Sequence, residues 1–332
     1  MAASFVSDST GWLLSITSPD SSSGSRIVVC KTTDGGRRWS AVPAPPAPWI
    51  YQGTTSAPDG VSAIVFADQR DGWAFGPGLW ATHDGGAHWR RVGTGGAGVS
   101  GLAAADGRVV AVFSRNGGMA SGVGTSRFAV YTSPVGSDAW RQVPSASGAG
   151  EAGVAIAGHT GYVVSSVRLT SAVTLLTGPA KGPGRWQRHA VPCPHGWLAD
   201  VAAGTSPGVV VACAPIGFHP TPARVYRSAD GGASWQRLAS LVLEDSISSV
   251  SVAPDGTILV SGLYSGVLIS RDGGRSWHTM AAADHSDAVQ GGGVIAAAMA
   301  TDRLGFAIVT GQAFWLTHDG GRTWTAGTII RH

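Results

Sequence analysis

Several residues in the second half of the chain have the makings of hydrolytic chemistry. Asp245 with Asp284 or Asp287 supplies a pair of carboxylates, and glycoside hydrolysis needs two such groups about 5–9.5 Å apart across the scissile bond. Tyr264 and Glu244 offer a nucleophile beside an acid. A second set points to anion binding. Arg115 or Arg127, Arg168 and Arg224 come from three consecutive stretches of the chain, and a guanidinium fork matches two carboxylate or phosphate oxygens at once. Trp49, Tyr51 and Trp197, with His219, supply aromatic surface, but on separate stretches and so without a continuous sugar platform. The bland reading is that arginines and acids in loops are simply solvated, so each set gains meaning only if the fold gathers it. Nucleophile-elbow and P-loop motifs are absent, and Gly291-Gly292-Gly293 leads into a strand instead of a helix. No cofactor is expected.

Composition narrows the classes. The chain has 332 residues, 43% hydrophobic and 13% charged, with 49 glycines and 18 prolines. That is ample apolar material for a core, and the wealth of turn-formers among short apolar runs indicates an all-β protein. A net charge of +3 without a basic run argues against nucleic-acid binding. No apolar stretch approaches the ~20 residues of a membrane helix. Met1 to Phe5 lacks a charged, apolar leader. Glutamate occurs only at Glu151 and Glu244, and small polar residues dominate. This composition suits a secreted or cell-envelope protein whose signal or anchor lies outside this numbering, and a monomer is expected.

These residues must be positioned by repeats. Five segments share Ser/Thr, any residue, Asp-Gly-Gly, two residues, then Trp: Thr32 to Trp39, Thr82 to Trp89, Ser228 to Trp235, Ser270 to Trp277 and Thr317 to Trp324. Thr132 to Trp140 and Thr177 to Trp186 keep only the ends. The seven tryptophans are spaced 50, 51, 46, 49, 42 and 47 residues apart, a period that suits a four-stranded propeller blade. Each unit reads as a small-residue strand A, a glycine-opened strand B, an apolar strand C before the Ser/Thr, and strand D after the turn. The expected fold is a seven-bladed β-propeller of antiparallel blades, in one domain over residues 1–332. The blades fall at about 1–43, 61–93, 99–144, 152–191, 197–239, 246–281 and 293–331. A solenoid is disfavoured because terminal capping repeats are not evident.

The turn chemistry is structural. Asp34, Asp84, Asp230, Asp272 and Asp319 can accept backbone N–H groups in Asx-type turns. The glycines that follow can take positive φ, and Trp39, Trp89, Trp235, Trp277 and Trp324 can cover the turns. One carboxylate per turn is too few for calcium, which takes 6–8 oxygens, and no Cys/His cluster has zinc spacing; no metal is expected. The pattern resembles the Asp box, or BNR repeat, of sialidases, sortilin-type receptors, xyloglucanases and photosystem II assembly factors. The resemblance covers all seven units, five with the full motif. The sialidase Arg-Ile-Pro motif is missing, since Arg26-Ile27-Val28 merely leads into strand C, and sialidase propellers have six blades.

In such blades the A–B and C–D turns share one face, while the B–C loops and D–A crossovers share the other. Ligands are expected on the second face, where Arg115, Arg127, Arg168, Arg224, His219, Trp49 and Tyr51 are placed. Cys193, in a crossover, and Cys213, near the end of strand B, meet at adjacent strand ends on this face and are expected to form a disulfide, consistent with an oxidising compartment. Cys30 reads as a buried thiol acting as a small apolar side chain. The reading is a non-catalytic binding or scaffold propeller that offers its B–C and D–A face to a protein or glycan; the alternative is a polysaccharide-acting glycoside hydrolase with carboxylates on the same face.

Overall fold

The computed structural model describes residues 1–17, 26–50, 59–115, 127–167, 172–182, 184–204, 208–215, 221–243, 247–262, 266–280, 293–309 and 313–327. Blade 1 comprises β1 (Ala2–Phe5), β2 (Gly11–Thr17), β3 (Arg26–Thr32) and β4 (Ser40–Val42); blade 2, β5 (Ala63–Phe66), β6 (Gly72–Phe75), β7 (Leu79–Thr82) and β8 (Arg90–Arg91). Blade 3 has β9 (Gly98–Ala105), β10 (Arg108–Arg115), β11 (Arg127–Pro134) and β12 (Arg141–Ala149). Blade 4 has β13 (Glu151–Ala157), β14 (Thr160–Ser166), β15 (Thr174–Pro179) and β16 (Gln187–Ala190). Blade 5 has β17 (Leu198–Ala203), β18 (Val209–Ala214), β19 (Thr221–Ser228) and β20 (Gln236–Leu243). Blade 6 has β21 (Ile247–Val252), β22 (Ile258–Gly262), β23 (Gly266–Ser270) and β24 (His278–Thr279), and blade 7 has β25 (Val294–Met299), β26 (Gly305–Val309), β27 (Ala313–Thr317) and β28 (Thr325–Gly327). Strands in every sheet follow chain order, each against its sequence neighbour. The fold is a seven-bladed β-propeller. Among the described residues no helix is long and apolar enough to cross a membrane.

The chain forms two compact units. The first holds Met1–Gly150 with Pro179–Arg185, and the second Glu151–Gly178 with Trp186–Gly327. In both, the core consists of layers between consecutive blades. Trp12, Leu14, Phe66 and Trp80 fill the layer of blades 1 and 2; Tyr162, Leu175, Val201, Val211 and Tyr226 fill that of blades 4 and 5. Within a unit, β6, β18 and β22 contribute side chains to a layer on each side, and they are buried along their whole length, as is β26. Their near-continuous apolar sequences follow from this, as in any strand covered on both faces.

The glycine that opens a second strand has a packing reason. A Cβ on Gly11 would lie 2.3 Å from the Phe5 ring, one on Gly72 2.5 Å from the Phe66 ring, and one on Gly305 2.5 Å from Met299 Sδ. Each glycine is a seat for the last side chain of the strand before it. First strands of consecutive blades are also stitched by short polar side chains. Phe66 N–H donates to Ser4 Oγ (2.9 Å), Val250 N–H to Asp200 Oδ2 (3.0 Å), Ala297 N–H to Ser249 Oγ (2.9 Å) and Met299 N–H to Ser251 Oγ (3.2 Å). A sheet edge with no strand beside it would otherwise leave these donors without acceptors, at about 1–3 kcal/mol each.

Candidate functional site

The five complete turns are hydrogen-bonded alike, and not as Asx turns. In blade 1, Thr32 Oγ1 donates to Asp34 Oδ1 (2.9 Å) and accepts the Gly36 N–H (2.9 Å), while Asp34 Oδ1 accepts the Arg38 N–H four residues on. The Ser/Thr hydroxyl thus sits at the centre of the network, a role the sequence reading gave to the aspartate. Gly35 and Gly36 take φ of 74° and 87°, where a side chain would strain the backbone. The network fixes the carboxylates in their ionised form. The Arg38 N–H holds Asp34 below the ordinary range, and the N–H and then the ring of His88 hold Asp84 at about 2. The hydroxyls and N–H groups of Ser234 and Ser276 pull Asp230 and Asp272 well down. At Asp319 burial pushes upward, yet the Thr323 hydroxyl and N–H hold the group at about 2. The closing tryptophans divide in two. Trp277 and Trp324 donate to carbonyls of their own turns, Gly274 and Gly321. Trp89 and Trp235 donate to Pro43 O and Ala190 O of the preceding blade.

The other end of blade 5 carries a built cation–aromatic shelf. Cys193 and Cys213 form a disulfide with their Cα atoms 6.0 Å apart, and both are buried in the layer between blades 4 and 5. The bridge ties the crossover that precedes β17 to β18. Trp197 follows in that crossover, partly buried against the same layer. Arg224 pairs with Cys213 across β18 and β19, so its side chain emerges on the same side of the sheet. Its guanidinium lies over the Trp197 ring, 5.3 Å from the centroid, and Arg224 Nε is buried with no hydrogen-bond partner among the described residues. A guanidinium over an aromatic ring can still offer N–H groups to an anion.

The remaining candidates fare differently. Arg224 lies within β19, while Arg115 closes β10 and Arg127 opens β11, at the two ends of the B–C connection of blade 3, directly opposite each other and exposed. Trp49 does not stand out as a platform; it bridges to Val61 and packs on the layer between blades 1 and 2. Asp245, Asp284, Asp287, Glu244, Tyr264, Arg168, Tyr51 and His219 lie outside the described residues. Cys30 is buried in β3.

A charged cluster that sequence reasoning missed occupies the Asp-Gly-Gly side of blades 2 and 3. His83, the variable residue of its turn, has Nδ1 2.5 Å from Asp71 Oδ1 and Nε2 3.0 Å from Asp138 Oδ2. Arg90 Nη2 donates to Asp138 Oδ2 (2.7 Å), and Trp73 Nε1 to Asp138 Oδ1 (2.8 Å). The Asp138 side chain is only 4% exposed. Burial works against a charged His83, but its hydrogen bonds to the carboxylates of Asp71 and Asp138 outweigh it and raise its pKa. Both ring nitrogens of His83 and both oxygens of Asp138 have partners, so the cluster reads as a fastener. Among the described residues no group of His, Cys, Asp or Glu is arranged to hold a metal ion.

No family model matches the chain, and no curated protein matches its sequence. Solved structures do. One described as YCF48 bound to D1 peptide aligns over 100% of this chain and 93% of its own, at 16% identity and a TM-score of 0.59. This chain shares the YCF48 fold. A second, YCF48 from Cyanidioschyzon merolae, aligns over 84% of this chain and 90% of its own, at 14% identity and a TM-score of 0.53. The GH74 enzyme of Niastella koreensis aligns over 98% of this chain and 71% of its own, at 13% identity and a TM-score of 0.35, which is too loose to bear on activity. At such identities the likeness concerns the fold alone.

Proposed function

We propose that this propeller is a non-catalytic binding scaffold, secreted or in the cell envelope, which offers its B–C and D–A side to a protein or glycan partner. The observation that carries the reading is the Arg224–Trp197 shelf beside the Cys193–Cys213 disulfide. A cation pinned on an aromatic face, with the crossover beneath it cross-linked, loses little freedom when a ligand arrives, and preorganisation of this kind favours recognition. The shelf suits an anionic group on the partner. A protein partner is supported by a shared fold with a protein whose structure holds a peptide, and an oxidising compartment by the disulfide.

The test is a screen of acidic peptides, glycans and chromogenic glycosides. Binding that falls about tenfold or more in both Arg224→Ala and Trp197→Ala, with unchanged thermal stability, is the expected result. Turnover of any glycoside that is lost in Asp245→Ala or Asp284→Ala would replace the binding reading with a hydrolytic one.

A further inference from the structure

Trp12 and Trp73 occupy matching places, each directly after the glycine that opens a second strand. Trp12 reaches the next blade and donates to Gly85 O of its complete turn (3.0 Å). Trp73 faces blade 3, whose turn lacks Asp-Gly-Gly, and there the acceptor is the Asp138 carboxylate. The loss of one turn has therefore replaced a neutral acceptor with a buried charge, held at a φ of 47° that few non-glycine residues adopt.

The neighbours balance that charge. Asp71, from the turn before β6, and Asp138 bring two negative charges, and Arg90 on β8 brings one positive. A protonated His83 is the second cation that would balance them. Each ring nitrogen faces a carboxylate oxygen, and only the imidazolium has two N–H donors, while Arg90 Nη2, 3.4 Å from His83 Nε2, works against the second charge. The other nearby acids are engaged elsewhere: Asp68 Oδ1 accepts the N–H groups of Arg70 and Asp71, and Asp84 is held by Thr82 and His88.

We infer that the joint between blades 2 and 3 is a proton-operated latch, closed when His83 carries its second proton and bridges Asp71 to Asp138. Deprotonated, the ring keeps one donor and turns a lone pair toward the other carboxylate. A histidine whose folded pKa is raised adds stability in full below its unfolded value of about 6.5, and that stability is lost as pH rises through the folded value. Within that window the ratio of open to closed joint grows by up to about tenfold per pH unit.

The intact protein is followed by ¹H–¹⁵N correlation of its histidine rings from pH 5.5 to 9, with Tm measured over the same range. His83 is expected to keep both ring protons above pH 6.5, where an ordinary imidazole has lost its second. Wild type is expected to lose Tm above pH 6.5 relative to His83→Gln. Asp138→Asn leaves an oxygen for Trp73 and removes the charge, and should lower the pH at which His83 titrates; it serves as the readout if His83→Gln does not fold. Titration of wild-type His83 at or below about 6.5, the ordinary imidazole value, or an unchanged His83 titration in Asp138→Asn, overturns the latch.

Discussion

At each complete corner a buried hydroxyl works beside the aspartate that marks it. Ser228 is buried; its Oγ donates to Asp230 Oδ1 (2.7 Å) and receives the Gly232 N–H (2.7 Å). Ser228→Ala would leave that N–H buried without an acceptor and remove one of the donors that keep Asp230 ionised. A loss of about 1–3 kcal/mol is expected, read as a lower urea midpoint with an unchanged m-value. The equivalent change at exposed Ser234 deletes a bond that water can replace, and should cost well under half as much. Serine and threonine are interchangeable at this place because only the hydroxyl is used, which is why the repeat reads Thr in three corners and Ser in two.

Among the elements, the strands were legible because their requirements are local: an apolar run, a glycine seat, a corner motif. The Cys193–Cys213 bridge was legible for the same reason, since both residues belong to one blade and the strand count placed them at adjacent ends. It closes a loop with a sequence separation of 20, worth about 3 kcal/mol in the chain-entropy description. Replacing both cysteines with alanine, or adding reductant, should lower the unfolding midpoint accordingly and weaken the hold on Trp197. Arg224 lies in β19 close after Pro222. β18 pairs with β19 only as far as Arg224, so Pro222 lies beyond that pairing, where a missing N–H costs little. The His83 cluster was illegible for a different reason. Its acids stand 12 residues before and 55 residues after the histidine, in turns that look like ordinary solvated corners. The available signal was the absence of Asp-Gly-Gly in blade 3 next to a histidine in the corner of blade 2.

For the whole molecule, opposing titrations set a pH of greatest stability. The corner carboxylates have lowered pKa values, so their contribution is complete above about 4 and fades as pH falls toward about 2. Asp200 is raised, chiefly by burial and against the pull of the Val250 and Val201 N–H groups, and His83 is raised as well. Both favour the folded state at lower pH and lose that advantage as pH rises through their folded values. A plot of Tm against pH should therefore peak between about 4 and 6.5, and a maximum above 8 would contradict this balance. The stitches between first strands have one more implication. In each, a main-chain amide of the later blade donates to a side-chain oxygen of the earlier one, so the join is specified from one side only. A foreign blade could follow Ser4, Asp200, or Ser249 and Ser251 whatever its own first strand spells, whereas exchanging the blade that carries those residues would erase the instruction. Recombination within this propeller should thus be polar, permissive downstream of a retained short polar residue and restrictive upstream of it.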